Sequence, residues 1–229
     1  VKGDEIENFE DGKVYVVQFS ASWCPPCRDS IPHISKLQTE LKDYGVTFIG
    51  ISDEELPKVT TFLGQPRMKG AEETWDQVVA YRLTTDPDRS AHNDYMKASG
   101  QGGIPTAFIV GKDQHVEWIG HPMGIDKPLD SVVKDSWDRF AYKKEYEAQQ
   151  ADAAEMRKVQ QDLFKAMQEE DWDKALSMIE PVLAKNPKEL SAGMTKFQIL
   201  MRKGDTQAAH AFARELAKNN WDNAMVLNA

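Results

Sequence analysis

Two cysteines are the residues of this chain best suited to covalent chemistry, and the chain contains no others. They stand three positions apart in the segment Trp23-Cys24-Pro25-Pro26-Cys27-Arg28, between the apolar run 14–19 and a segment with helical spacing. If a helix opens at Cys24, free backbone N–H groups and the positive end of the helix dipole favour a thiolate over a thiol there. The placement therefore predicts thiol–disulfide chemistry.

The spacing also predicts a role for each residue around the pair. Cys24 is the expected nucleophile, and Cys27, one helical turn further on the same face, can attack a mixed disulfide at Cys24 and release the product as a thiol. Arg28 adds a fixed positive charge beside the thiols. Pro25 and Pro26 restrict the loop and hold the two sulfurs close together, so we expect them to help set the reduction potential.

Two other interpretations of the cysteines remain open, a zinc half-site and an inert structural disulfide. A zinc site needs a second pair of Cys or His residues at short spacing. The histidines that could supply it show no such spacing: His33, His92, His115 and His121. We therefore expect no metal, and no cofactor other than the redox-active Cys24–Cys27 disulfide itself.

Composition limits the class of protein. The 229 residues are 41% hydrophobic and 28% charged, a mixture typical of globular domains. No apolar run is long enough to span a membrane, and the first twenty residues lack the pattern of a signal peptide. The chain does not begin with Met, so we expect a trimmed or processed form. The first 150 residues carry −8 of the net charge of −9, which argues against nucleic acid or anionic lipid as a partner.

Hydrophobic periodicity divides the chain near residue 142. Residues 1–142 alternate strand and helix patterns, and residues 143–229 show helical periodicity only. The strand at 14–19, the helix at 24–44 and the strand at 45–51 form a βαβ unit, which implies parallel pairing. The remaining elements predicted before residue 142 are a helix at 54–64, a strand at 78–83, a helix at 89–99 and strands at 104–110 and 115–119.

The segment Phe19-Ser20-Ala21-Ser22-Trp23-Cys24-Pro25-Pro26-Cys27-Arg28 resembles that of the thioredoxin superfamily, in particular the TlpA/ResA-like thiol–disulfide oxidoreductases. Their pattern is F-W-A-x-W-C-x-P-C-[KR], so Ser20 replaces the usual first tryptophan. Pro32 matches the proline that kinks the family's helix. The resemblance covers residues 10–140 and implies a thioredoxin-like three-layer α/β/α domain.

Gly103-Ile104-Pro105-Thr106 resembles the family's cis-proline loop, which lies against the first cysteine. The resemblance implies that Ile104 offers its backbone groups to an extended substrate segment and that Pro105 contacts the same substrate. Trp23 could shape this docking surface, or it could equally be the edge of a packed core.

Gln18 departs from the resembled pattern. Thioredoxins place a buried Asp at this position as proton acceptor for the second thiol, and many TlpA-like members place Glu or Asn; Gln18 cannot titrate. Deprotonation of Cys27 must then rely on water, on the leaving thiolate of the substrate, or on a nearby carboxylate such as Glu54 or Glu55. Asp53, Glu54 and Glu55 follow a predicted strand, but we expect all three to be solvated loop charges.

The remainder of the chain contains a repeat. Asp171, Ala175 and Asn186 recur 34 positions later as residues 205, 209 and 220, and 34 residues is the tetratricopeptide (TPR) period. The alignment predicts repeats over 156–189 and 190–223, with turns at 169–171 and 203–205 and a third repeat beginning at Trp221. We expect an all-α, TPR-like segment that binds a protein partner; an unspecialised helical bundle is the alternative.

Three functions are compatible with these patterns. The first is a thiol–disulfide oxidoreductase, with reduction of a protein substrate favoured by the resemblance and electrons drawn from an upstream thiol donor. The second is a redox-inactive scaffold that uses the TPR-like segment. The third, a thiol peroxidase, is disfavoured because its P-x₃-T-x₂-C pattern is missing before Cys24. The resemblance implies an extracytoplasmic location in the bacterial cell envelope; the cytoplasm is the alternative.

Overall fold

The computed structural model describes residues 1–221 and divides the chain into two compact units, one ending at Lys144 and the other beginning at Glu145. In the first unit, strands alternate with helices. In the second, the described residues are helical apart from short turns. The architecture confirms the expected thioredoxin-like domain followed by an all-helical segment. The third repeat predicted from Trp221 lies, after that residue, outside the described residues.

The first unit contains five strands and five helices before the long helix that links the units. In chain order they are β1 (Val14–Phe19), α1 (Pro25–Leu41), β2 (Val46–Ser52), α2 (Leu56–Leu63), α3 (Trp75–Val78), β3 (Arg82–Thr85), α4 (Ser90–His92, continued by a π-helical turn at Asn93–Lys97), β4 (Thr106–Val110), β5 (Val116–Gly120) and α5 (Asp126–Val133).

The five strands form one mixed sheet in the order β3-β2-β1-β4-β5. β1 pairs in parallel with β2, and β2 pairs in parallel with β3, as the predicted βαβ unit requires. β4 and β5 are antiparallel to their neighbours. β1 is therefore the central strand, and its carboxyl end leads directly into the loop that carries the cysteines.

Both faces of the sheet are covered, and the alternation of side chains in β1 shows how. Val14 and Val16 belong to a core shared with α1, α2, α3 and α5. Tyr15, Val17 and Phe19 belong to a second core on the opposite face. All six residues of β1 are buried, which is the pattern expected of a central strand with helices on both sides.

The strand predicted at 78–83 is wrong in position. Thr74 and Gln77 form a capping box that starts α3, so the apolar residues at 78 and 79 end a helical turn. The strand begins only at Arg82, where it pairs with the end of β2. The apolar run 78–83 by itself favours a strand, but Val78 and Val79 pack on the core that includes α1.

The two elements nearest the cysteines also differ in their boundaries from the predicted ranges. β4 begins at Thr106, so Ile104 and Pro105 lie in the loop before it. α1 begins at Pro25 with Cys24 as its N-cap, and it ends at Leu41 before a short 3₁₀ turn. The helix contains Pro32, as predicted.

The long helix α6 (Arg139–Gln168) begins before the end of the first unit and continues into the second. Three further helices follow it: α7 (Trp172–Lys185), α8 (Leu190–Lys203) and α9 (Thr206–Asn219). The predicted turn at 169–171 falls between α6 and α7, and the one at 203–205 begins on the last residue of α8 and ends just before α9. α8 packs against both α7 and α9. One alanine of each of the four helices is buried: Ala166, Ala175, Ala192 and Ala209. The first three belong to one hydrophobic cluster. Within the described residues, no helix has the length and apolarity needed to cross a membrane.

The start of α6 belongs to the first unit. Arg139 pairs with Glu117, which is largely buried in β5, at 2.5 Å and with Asp113 at 2.6 Å. The hydrogen bonds from Arg139 lower the pKa of Asp113. The Tyr142 hydroxyl donates to the Ile119 carbonyl at 2.7 Å and accepts the Ile119 N–H at 3.0 Å. These contacts attach the first turn of α6 to β5.

Candidate active site

A disulfide joins Cys24 and Cys27 at the amino end of α1, with their Cα atoms 5.2 Å apart. Cys24 is the N-cap residue, and its Sγ accepts the Cys27 N–H at 3.3 Å. That amide is one of the free donors of the first helical turn, which stabilise negative charge on a capping atom. The contact that would stabilise a Cys24 thiolate is thus present while the cysteines are oxidised.

The residues around the disulfide differ in exposure. Pro25 and Pro26 occupy the first two positions of α1 and are exposed, which suits positions where no N–H is needed. Arg28 is partly exposed on the same turn. Trp23 is 67% exposed, so the alternative that it forms the edge of a packed core is wrong. Cys24 and Cys27 themselves are only 3% and 1% exposed.

The loop before β4 lies against the first cysteine. The Ile104–Pro105 bond is cis, and the Ile104 carbonyl oxygen lies 3.9 Å from the Cys24 sulfur. Ile104 also packs on a small buried cluster that includes both cysteines and Ala21. The Thr106 hydroxyl closes the loop by donating to the Gly103 carbonyl at 2.7 Å. The structure thus brings together two motifs that are 80 residues apart.

Gln18 lies beneath the start of α1 and is 1% exposed. Its Nε2 donates to the Ser30 hydroxyl at 3.1 Å, and that hydroxyl donates to the Cys27 carbonyl at 2.7 Å. Among the described residues, Oε1 of Gln18 has no hydrogen-bond partner. The side chain of Gln18 therefore links the central strand to α1 through hydrogen bonds, and this link contains no titratable group.

Glu54 is the site residue that sequence reasoning missed. Asp53 and Glu55 are exposed, as expected, but Glu54 is 8% exposed and is therefore not a solvated loop charge. Its Oε2 accepts the Ser22 N–H at 2.6 Å and the Ser52 hydroxyl at 3.0 Å, while its Oε1 accepts the Ser22 hydroxyl at 2.7 Å. These bonds compensate the carboxylate for the loss of water. They also hold the backbone two residues before Cys24.

Within residues 1–221, no group of three His, Cys, Asp or Glu side chains is arranged to hold a metal ion. Two of the histidines considered above have other contacts. His33 lies 3.0 Å from an Asp126 oxygen, and Nδ1 of His121 accepts the Met123 N–H at 3.3 Å. These contacts do not bring either histidine to the disulfide.

The mixed sheet, the C-x-x-C disulfide at a helix start and the adjacent cis-proline loop define a thioredoxin-like protein. The model of the AhpC/TSA family matches residues 3–119, about half of the chain. The chain belongs to the AhpC/TSA family.

Three relatives show how far the similarity extends. The chain is 26% identical over 192 residues to Protein FixW of Rhizobium leguminosarum, an alignment that covers 82% of this chain and 86% of the relative. It is 31% identical over 136 residues to the thiol:disulfide interchange protein HelX of Rhodobacter capsulatus, covering 57% of this chain and 67% of HelX. It is 27% identical over 118 residues to the thiol-disulfide oxidoreductase ResA of Bacillus thuringiensis, covering 51% of this chain and 60% of ResA.

The alignment to FixW is longer than the first unit of this chain, which ends at residue 144. It therefore extends into the helical unit. The shorter alignments to HelX and ResA are no longer than the first unit.

Proposed function

We propose that this chain is a thiol–disulfide oxidoreductase whose physiological reaction is the reduction of disulfides in a protein substrate. The Cys24 thiolate attacks one sulfur of the substrate disulfide, forming a mixed disulfide and releasing one substrate thiolate. The Cys27 thiolate then attacks the Cys24 sulfur and releases the second substrate thiolate. Two electrons pass to the substrate, and the Cys24–Cys27 disulfide is left. An upstream dithiol donor must reduce this disulfide before the next turnover.

The observation that carries this proposal is the position of the Cys24 sulfur. It accepts a helix N-terminal N–H and lies against the Ile104 carbonyl, so a nucleophile and a strand-like peptide contact occur at the same point. Ile104 and Pro105 would contact the substrate backbone. Trp23, Pro25 and Pro26 would form the surface around the sulfur, and the names of HelX and ResA support the same reaction class.

The deciding measurement is the equilibrium reduction potential of the Cys24–Cys27 couple against glutathione or dithiothreitol. A potential near or below about −250 mV supports a reductase, and one near about −120 mV would indicate an oxidant. The absence of exchange in either direction would support the alternative of a redox-inactive scaffold.

Alkylation assigns the two thiol roles. In the reduced protein, iodoacetamide should modify Cys24 faster than Cys27, because only the Cys24 sulfur accepts the helix N–H. Cys27→Ser should accumulate a mixed disulfide with substrate, and Cys24→Ser should form none. Trapping on Cys27 instead would reverse the assignment.

We further propose two domains, 1–142 and 143–229, with the second a TPR-like module that binds a protein partner. α7 and α9 begin 34 residues apart, at Trp172 and Thr206. Each is capped by an aspartate whose side chain accepts the amide three residues on, at 3.2 Å for Asp171 and 3.0 Å for Asp205. The two helices thus repeat in both length and capping.

Ending the chain after about residue 150 tests the partner role. Turnover of a small disulfide should persist, because the contacts that attach the first turn of α6 are retained, while turnover of the native protein substrate should fall. Equal loss on both substrates would contradict a role in partner binding.

We also propose an extracytoplasmic location in the bacterial cell envelope, as the TlpA/ResA resemblance implies. Fractionation of cells that express the full gene tests this, and recovery in the cytoplasm would overturn it.

A further inference from the structure

A small cavity opens beside the cis-proline loop, at the carboxyl ends of β1 and β2. Its volume is about 160 Å³. Its apolar walls come from Phe19, Trp23, Ile51, Met96 and Ile104, and Ser20 contributes a small polar side chain. Ile104 is therefore shared between this cavity and the Cys24 sulfur.

Ser20 lines this space with a small side chain. The resembled sequence pattern carries tryptophan at this position, and this chain carries one of the smallest side chains. The backbone of Ser20 continues the sheet, because its N–H donates to the Ile51 carbonyl at 3.0 Å. The backbone of Ser20 is thus hydrogen-bonded like that of a strand residue. The difference from the resembled pattern lies in the side chain, because serine is much smaller than tryptophan.

The charged residues of the cavity are paired with one another. The Arg89 guanidinium lies 3.2 Å from an Asp53 carboxylate oxygen and 2.7 Å from Nε2 of His92. Asp53 and Arg89 cancel in charge, so neither demands a counterion from a bound molecule. His92 also lines the cavity, and its buried Nδ1 has no hydrogen-bond partner among the described residues. Because most of the wall is apolar and the charges of Asp53 and Arg89 cancel, the cavity favours an uncharged and largely apolar occupant.

The wall formed by α4 is fixed in position. Asp86 is 6% exposed, and its carboxylate accepts the amides of Ala91 at 3.1 Å and His92 at 2.8 Å. The Asp86 N–H donates to the Ser52 carbonyl at 2.7 Å, which attaches this cap to the end of β2. Met96, further along the same segment, is 1% exposed.

We infer that this cavity is a specificity pocket for an apolar side chain of the substrate protein. The inference rests on the proposed function, because it requires a substrate segment extended along Ile104. Side chains of an extended segment alternate between its faces, so the residues that share a face with the reacting cysteine are two positions before and after it. One of these side chains enters the pocket while the cysteine meets Cys24.

Peptides with a single cysteine linked to thionitrobenzoate test the pocket in one turnover. Attack of the Cys24 thiolate on the peptide sulfur releases coloured thionitrobenzoate, and Cys27 then releases the peptide as a thiol while the protein is oxidised. The peptides carry Gly, Leu, Asp or Lys two positions before or after the cysteine. With the reduced full chain, we expect a Leu peptide to react roughly tenfold faster than the Gly peptide, and the Asp and Lys peptides to gain nothing.

Variants of Ser20 decide whether the cavity is responsible. Ser20→Trp fills the space, so the ratio of the Leu to the Gly rate should fall to about one. Ser20→Val should give an intermediate ratio, and Ser20→Ala, which leaves the space open, should keep the wild-type ratio. Circular dichroism checks that each variant is folded. If Ser20→Trp does not fold, the ratio measured with Ser20→Val still tests the inference.

Two results would overturn the inference while leaving the proposed function intact: equal rates for all peptides in the wild type, or a Leu preference that persists in Ser20→Trp. Release of thionitrobenzoate from no peptide at all would overturn both, because it would mean that the thiols are unreactive.

Discussion

Replacing Glu54 by Gln should destabilise the first unit, although the two side chains have nearly the same shape. The carboxylate accepts three hydrogen bonds, two at Oε2 and one at Oε1. An amide with its oxygen at the Oε2 position keeps the bonds from the Ser22 N–H and the Ser52 hydroxyl, and its NH₂ group can donate to the Ser22 hydroxyl. What is lost is the charge that strengthens each bond, which we expect to cost about 1–2 kcal/mol.

Glu54→Ala removes every acceptor. The half-buried Ser22 N–H then lacks its protein partner, and the total loss should reach about 3 kcal/mol. Glu55→Gln is the matched control, because Glu55 is exposed on the same loop and makes no capping bond to α2. This control should change stability by less than about 0.5 kcal/mol.

Hydrogen exchange of the slowest amides in β1 measures the free energy of unfolding of the first unit alone. Since about 1.4 kcal/mol corresponds to a factor of ten, exchange should accelerate roughly tenfold in Glu54→Gln and about a hundredfold in Glu54→Ala. The oxidised protein should be used for all variants, so that the disulfide state is the same. Exchange rates in both Glu54 variants equal to that of Glu55→Gln would refute the conclusion that this carboxylate holds the loop before Cys24.

Three further outcomes are expected. The Asp113 carboxylate has a lowered pKa because Arg139 donates hydrogen bonds to it, so its stabilising contribution is present above about pH 4 and is lost as the pH falls through its folded-state pKa. Urea midpoints between pH 5 and pH 2 should therefore fall less steeply in Asp113→Asn than in the wild type; parallel curves would exclude this contribution. Ala209→Leu should destabilise the helical unit by about 1–3 kcal/mol because Ala209 is fully buried, whereas Ala211→Leu, at an exposed position of the same helix, should have little effect. Thermal unfolding compares the two, and equal midpoints would contradict close helix packing at position 209. Gln18→Glu places a titratable group beneath the disulfide, so the pH profile of alkylation of the nucleophilic thiol should acquire a second inflection, at a pH above the ordinary pKa of Glu because the new carboxyl is buried. A profile identical to that of the wild type would show that position 18 does not influence the thiol.

Local sequence was sufficient for the elements whose pattern is complete within a few residues. The buried run 14–19 and the C-x-x-C segment after it identified β1 and the start of α1, because strand burial and helix capping depend on neighbouring positions. The spacing of 34 residues located the turns of the helical unit in the same way. The apolar run 78–83 predicts a strand, but the capping box of Thr74 and Gln77 starts a helical turn before it, so the strand begins only at Arg82.

The arrangement of the site depended on contacts between distant parts of the chain. Glu54 resembles its exposed neighbours in sequence, and the approach of Ser22, 32 residues earlier, supplies two of the three hydrogen bonds that its buried carboxylate accepts. The cavity beside Ile104 likewise combines a small residue after β1 with side chains from β2 and α4. The sequence by itself determined which residues can carry thiol chemistry. The tertiary structure decided what surrounds them, because burial and hydrogen bonding depend on which strand ends meet at the edge of the sheet.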